Sequence, residues 1–149
     1  MQKIDFNLLF EMIKSEIGEP CQHRERIHNE WVLEIPSEHL RKVVKIFLDQ
    51  HEILHLSTIT AQIDNDNPRH IQVLYHFWKG TAISLLMLLD KHNPILESIV
   101  DILPGADFYE REVAEMYGVH FGLREQTPRL LLPESWAGGP LMLTEKEEN

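Results

Sequence analysis

Phe6, Leu9, Phe10, Ile13 and Ile17 recur at the spacing of one helical face, and Gly18 followed by Pro20 closes the run. The pattern predicts an amphipathic helix from Asp5 to Ile17. "CQHRERI" and "EWVLEIP" then flank His28-Asn29 as a two-stranded hairpin, with Trp31, Leu33 and Ile35 alternating onto one face. Ser37 is placed to cap a second helix, whose stripe is Leu40, Val43, Val44 and Phe47. Leu54 to Ile63 is β-branched and partly alternating, and "DNDNP" ends it as a solvated turn. His70 to Trp78 puts Ile71, Val73, Tyr75 and Phe77 on one face. After a turn at Lys79-Gly80, Thr81 to Leu89 is apolar on both faces, the pattern of a central strand. Pro94 and Pro104 bracket a short helix, and Asp107 to Gly118 forms the last one, with an irregular stretch from Phe121 onward.

Leaving the short helix aside, the order is α-β-β-α-β-β-β-α. Hairpin-connected strands segregated from helices predict an α+β fold, a two-layer sandwich with a mixed five-stranded sheet and an irregular C-terminal tail. No repeat, linker or low-complexity segment divides the chain. We read residues 1–149 as one domain, with 1–122 as the α+β core and 123–149 as an extended partner-docking tail.

The length of 149 residues, with 43% hydrophobic and 26% charged residues, suits one ordinary core. Fourteen basic against 24 acidic residues give a net charge of −10, which argues against a phosphate backbone or anionic lipid as partner. Cys21 is the single cysteine, so the chain builds no internal disulfide, thiolate zinc site or iron–sulfur cluster; a reducing compartment is expected. "MQKIDFNLLFEMIKSE" has acids interrupting its apolar run and does not read as a signal peptide. The longest apolar run, Ala82 to Leu89 interrupted by Ser84, is far below the roughly 20 residues that span a bilayer.

"HEILH", His51 to His55, matches a zinc-protease pattern in which two histidines one helical turn apart bind metal and Glu52 activates water. Its setting is poor for that chemistry. The motif straddles a helix end and a strand start, and Thr58 and Ala61 stand where the extended pattern needs glycine and histidine. Glu97 or Glu110 is the available third ligand. A zinc hydrolase through His51, Glu52 and His55 is therefore a distant alternative, set against surface or strand-edge histidines. No phosphate-cradling glycine loop occurs, and Ser135 lacks a nucleophile elbow. The chain shows no complete catalytic set.

On a helix turning about 100° per residue, Tyr109, Val113, Met116 and Tyr117 share one arc with Phe108 at its edge. Glu110, Arg111 and Glu115 fall opposite or at the margin. Asp107 is placed to cap, with Glu110 at the capping-box position. Arg111 and Glu115 are spaced as an i,i+4 ion pair, worth about 0.2–0.5 kcal/mol if exposed. Glu112 falls inside the apolar arc, where a carboxylate needs a cation from this chain or a partner. Alternatively, this is a capped surface helix with one awkward glutamate. The tail "PRLLLPESWAGGP" carries Leu130, Leu131, Leu132 and Trp136 in a segment suited to docking.

"EREVAEMYGVHF" followed by "PRLLLPESWAGGPL" resembles the signature of the respiratory-chain NADH dehydrogenase 30 kDa subunit family, a component of complex I. Glu110, Arg111, Glu112, Glu115, Met116, Tyr117, Gly118 and Val119 fit it in order, and "SIVDILPGADFYERE" resembles its lead-in. The resemblance covers nearly the whole chain. It departs where Leu123, Arg124 and Glu125 replace Gly-His-Pro, where Pro128-Arg129 replaces Arg-Arg, and after Leu141. The resemblance implies a non-catalytic assembly subunit of a complex I-type NADH–quinone oxidoreductase. It would carry no flavin, metal or cluster. Its partners would be a hydrogenase-like large subunit and a cluster-bearing small subunit in the peripheral arm. It would sit on the cytoplasmic face of the membrane, touching it only through the complex. The departures also fit relatives sharing this module: energy-converting hydrogenases, formate hydrogenlyase-type complexes and deazaflavin dehydrogenases. The residues expected to fix the last helix and tail on the large subunit are Glu110, Arg111, Glu112, Glu115, Tyr117, Gly118, Phe121, Arg129, Leu131, Pro133 and Trp136.

Overall fold

The computed structural model describes residues 4–18, 21–27, 30–53, 55–124 and 127–143. Helix α1, Phe6–Ile17, starts where the Asp5 carboxylate accepts the N–H groups of Asn7 and Leu8 at 3.0 and 3.3 Å. It buries Phe6, Leu9, Ile13 and Ile17. Strands β1, Gln22–Ile27, and β2, Glu30–Glu34, pair antiparallel as expected; their turn at His28-Asn29 lies outside the described residues. Helix α2, Leu40–His51, is entered through a 3₁₀ turn at Ser37–His39. The capping expected of Ser37 is corrected here, because the extra turn moves the helix start to Leu40 and no side chain caps it.

Strands β3, His55–Ile63, β4, His70–Trp78, and β5, Ala82–Asp90, form a meander. The five-stranded sheet runs β1-β2-β5-β4-β3, with β2 and β5 parallel and the other pairs antiparallel. The mixed sheet thus matches the fold class read from the sequence. α2 carries the chain from β2 to the far edge, and the meander returns β5 to the centre beside β2. β5 buries residues on both faces, as a central strand must.

In register, Val73, Tyr75 and Phe77 of β4 oppose Met87, Leu85 and Ile83 of β5, and all six are buried. The α1 and α2 stripes complete this core, with Phe47 edge-on to Phe77 at 5.2 Å between centroids and Phe6 stacked on Trp31 at 4.2 Å. Burying a side chain of this size contributes about 1.5–3 kcal/mol.

The short helix expected between Pro94 and Pro104 is not formed. Strand β6, Ile95–Glu97, pairs there in parallel with β7, His120–Gly122, and a 3₁₀ turn covers Pro104–Ala106. The Arg41 guanidinium of α2 fixes this segment, forking onto Asp101 at 2.6 and 2.8 Å and donating to the Ser98 carbonyl. That fork holds the Asp101 carboxyl down at about 2. Phe121, expected to begin the irregular stretch, is instead buried in β7. Helix α3 spans Asp107–Tyr117 beside β3.

Candidate functional site

α3 is framed by the Pro104 turn before it and by Gly118 after it, whose φ of 68° is the left-handed closure that glycine favours. Its first turn carries Asp107 and Glu110, which suits the positive end of the helix dipole. Asp107 does not cap; Ala106 takes that position without a side-chain bond. The Asp107 carboxylate is instead held by Arg124 at 2.6 Å and Arg111 at 3.3 Å.

Glu110 is fully buried. Its carboxylate accepts from Ser98 Oγ at 2.6 Å, the Ile99 N–H at 2.8 Å and Arg124 at 3.1 Å. Burial outweighs these bonds and raises the carboxyl above its ordinary range. Glu115, also buried, faces the segment 127–143, which crosses α3 as a strap. Its carboxylate accepts three consecutive backbone N–H groups, those of Leu130, Leu131 and Leu132, at 2.5, 2.9 and 3.2 Å. Burial alone would raise this carboxyl, but the three donors, helped by Arg129, bring it below its ordinary value.

Arg111 grips the same strap through its carbonyls, donating to Pro128 O at 3.1 Å and Arg129 O at 2.6 Å, while its guanidinium also lies 5.6 Å from the Phe108 ring centroid. Farther along, the Leu141 and Met142 N–H groups reach the carbonyls of Glu115 and Met116 at 3.4 and 2.8 Å. A Cβ on Gly118 would stand 2.7 Å from Pro140 Cγ, so the strap's far end seats against the α3 closure.

Three expectations about α3 are corrected. Glu112, read as the carboxylate inside the apolar arc, is exposed, whereas Glu110 and Glu115, read as outward, are buried. Arg111 pairs with Asp107 rather than Glu115. The cause is common to all three: an isolated helix has one buried face, but α3 is covered by β3, by the 98–99 segment and by the strap. Phe108 and Leu123 are left exposed at 63% and 68%.

Among the other residues singled out, Tyr117 is half-buried and Phe121 fully buried. Leu131 is 61% exposed, since only its backbone is gripped. The Pro133 carbonyl accepts the Trp136 N–H at 2.9 Å, and the Trp136 ring N–H donates to Gly139 O at 3.2 Å, folding the strap on itself. Arg129 is exposed and reaches Trp136 O at 3.5 Å rather than a carboxylate hydrogen bond. Sequence reasoning missed Arg124, Ser98 and Arg41. Arg124 stood out only as a departure from a family pattern, although a cation so near an acid-rich helix was a usable signal.

His51 ends α2, Glu52 follows in the left-handed region at φ 50°, and His55 opens β3. The two histidines are therefore not one helical turn apart, and the helical zinc motif is not built. The Lys79 ammonium donates to the His51 carbonyl, and burial, followed by the Lys79 charge, lowers the His51 pKa. Glu110, one proposed third ligand, is committed to Ser98, Ile99 and Arg124. Among the described residues, no group of three histidine, cysteine or acidic side chains is placed to hold a metal. No described helix is long and apolar enough to cross a membrane.

A profile for the family described as "Respiratory-chain NADH dehydrogenase, 30 Kd subunit" matches residues 33–146. A NADH-quinone oxidoreductase subunit of Acidothermus cellulolyticus is 30% identical over 117 residues, covering 74% of this chain and 61% of that protein. Its counterpart from Roseiflexus sp. is 38% identical over 73 residues, 47% of this chain and 42% of that one. A longer NADH-quinone oxidoreductase subunit of Rhodopseudomonas palustris is 29% identical over 131 residues, 82% of this chain but 22% of the relative. The chain thus spans less than half the length of the Roseiflexus and Rhodopseudomonas relatives it matches. In fold, it is similar to Nqo5 in its trypsin-resistant fragment, with TM-score 0.64 and 19% identity over 82% of this chain and 99% of that one. It is also similar to a chain of the membrane-bound sulfane sulfur reductase, an archaeal respiratory membrane complex, with TM-score 0.66 and 19% identity over 82% and 73%.

Proposed function

The chain belongs to the respiratory-chain NADH dehydrogenase 30 kDa subunit family, and from that premise we propose that it is a non-catalytic assembly subunit of a complex I-type NADH–quinone oxidoreductase. It packs on the hydrogenase-like large subunit through α3 and the strap, with a cluster-bearing small subunit nearby, and binds no flavin, metal or cluster itself. It sits peripherally on the inner face of the cell membrane and meets the membrane only through the complex.

The observation that carries this reading is how the strap is held. Glu115 and Arg111 bind its backbone at 128–132 and the Met116 carbonyl accepts the Met142 N–H, so the side chains of Leu131 and Met142 remain 61% and 57% exposed on an ordered support. Apolar side chains presented on a pre-ordered backbone lower the entropic cost of docking. The Rhodopseudomonas palustris relative adds support, because there a segment like this chain is part of one longer polypeptide. The departures at Leu123 to Glu125 favour a second reading, the equivalent subunit of an energy-converting hydrogenase, formate hydrogenlyase or deazaflavin dehydrogenase. The role of this chain is the same there; nickel in the large subunit separates a hydrogenase from a quinone reductase.

Deleting the chain in its native host tests the role. The large subunit is expected to leave the membrane fraction, and NADH–quinone activity, or hydrogen evolution under the second reading, to fall with it. A large subunit that stays membrane-bound and fully active without this chain contradicts the proposal.

A further inference from the structure

The five-stranded sheet ends at β3, whose outer side pairs with no strand among the described residues. An edge strand directs half of its backbone N–H and C=O groups away from its neighbour, a template for another extended chain. α3 runs beside this edge, tied at one end by the Tyr109 hydroxyl, which donates to Ser57 O at 2.9 Å where the β3 register shifts. Beyond that tie the two elements leave a cleft of about 340 Å³ with a mixed lining, Thr58, Thr60 and Ala61 over the buried Ile59 on one wall and Met116 and Tyr117 over the buried Val113 on the other.

Glu112 lines the same cleft. It is exposed, and no cation or hydrogen-bond donor among the described residues reaches its carboxylate. The other charged side chains of α3 are all engaged: Asp107 and Glu110 with Arg124, Arg111 with Asp107 and the strap, Glu115 with the strap. One carboxylate of α3 is therefore free, lining a cleft of mixed polar and apolar character, on a chain of net charge −10.

We propose that this cleft seats an extended segment of the large subunit, lying along Thr58–Ala61 and placing an arginine or lysine on Glu112. The proposal rests on the assembly role above. Each component of the cleft selects a component of the ligand. The free strand edge selects extended backbone, the half-buried Ala61, Met116 and Tyr117 offer apolar surface to alternate side chains, and Glu112 selects a cation. Four residues of β3 extend about 13 Å at roughly 3.3 Å each, so the segment is about four residues long. Charge disfavours the chain's own residues 144–149 as the occupant, because Glu145, Glu147 and Glu148 outnumber Lys146 and give the segment the same net sign as Glu112.

The test uses the intact complex purified from native membranes in mild detergent. A photo-crosslinking benzoylphenylalanine at Thr60, which is exposed, is expected to label a large-subunit segment that contains a basic residue. Glu112→Lys is expected to lower recovery of the large subunit at least tenfold and Glu112→Gln less, with melting temperatures unchanged because the site is exposed. The inference is overturned if Thr60 labels only residues 144–149 of its own chain or a different subunit. Wild-type recovery with Glu112→Lys overturns it equally. If the wild-type chain is recovered alone, the assembly role itself fails, and this proposal with it.

Discussion

Arg124 reaches Glu110 at 3.1 Å from the turn after β7, joining the tail's first residues to a carboxylate that is 0% exposed. The same guanidinium holds Asp107 at 2.6 Å, so one side chain neutralises two acids of α3. Arg124→Leu leaves the Glu110 charge buried without its cation. Such a loss costs about 3–5 kcal/mol, and the urea midpoint should drop accordingly. Glu110→Gln, which strands no charge, should cost less. A wild-type midpoint for Arg124→Leu would show that the pair does not hold α3.

Glu110 also gives the stability a signed pH dependence. Burial raises its carboxyl above the ordinary 4.5 despite the bonds from Ser98, Ile99 and Arg124. The folded chain then keeps a proton that the unfolded chain has released. The Glu110 contribution is full below pH 4.5 and is lost as pH rises through the raised value. Glu110→Gln cannot titrate, so its stability relative to wild type should improve from pH 4 to pH 7 in urea titrations. A difference that does not change with pH contradicts the raised carboxyl.

Glu115 has the opposite sign. Burial pushes its carboxyl up, but the N–H groups of Leu130, Leu131 and Leu132 outweigh it, and the value falls below 4.5. Its stabilisation is present above pH 4.5 and is lost as pH falls through the lowered value. At neutral pH, Glu115→Ala should remove about 1.5–3 kcal/mol, the net worth of bonding to a charged group. Hydrogen exchange should then accelerate at the amides of Leu130, Leu131 and Leu132 while β4 and β5 stay protected. Unchanged exchange at those three amides would mean that Glu115 does not hold the strap.

Gly118 closes α3 at φ 68°, and a Cβ there would meet Pro140 Cγ at 2.7 Å. Gly118→Ala therefore strains the backbone, at about 1–2 kcal/mol, and pushes the strap's far end away. The expected signature is lower stability together with loss of Met142 amide protection, because that amide bonds Met116 O. Lower stability with the Met142 amide still protected would separate the closure from the strap.

What was legible in the sequence was whatever depends on local period alone. The alternation of Ile71, Val73, Tyr75 and Phe77 was sufficient for β4, and the two-sided apolar run of Ala82–Leu89 placed β5 at the centre of the sheet. The stripes of α1 and α2 were read the same way. What failed depends on distant segments. The helical wheel of α3 pointed to Glu112, because nothing local reveals that Ser98 and Ile99 cover Glu110 or that the 130–132 backbone covers Glu115. The proline-bracketed stretch looked helical because its partner strand, β7, lies 23–27 residues away and its anchor, Arg41, far upstream. "HEILH" looked like a metal motif because sequence spacing does not show the chain leaving the helix at Glu52.

The most direct test of the proposed assembly is mild-detergent affinity purification of the tagged chain from its native membranes, with identification of every subunit recovered. The prediction is recovery with a hydrogenase-like large subunit and a cluster-bearing small subunit, with the large subunit lost from the Glu112→Lys preparation. Recovery of the wild-type chain alone, from the soluble fraction, would contradict it.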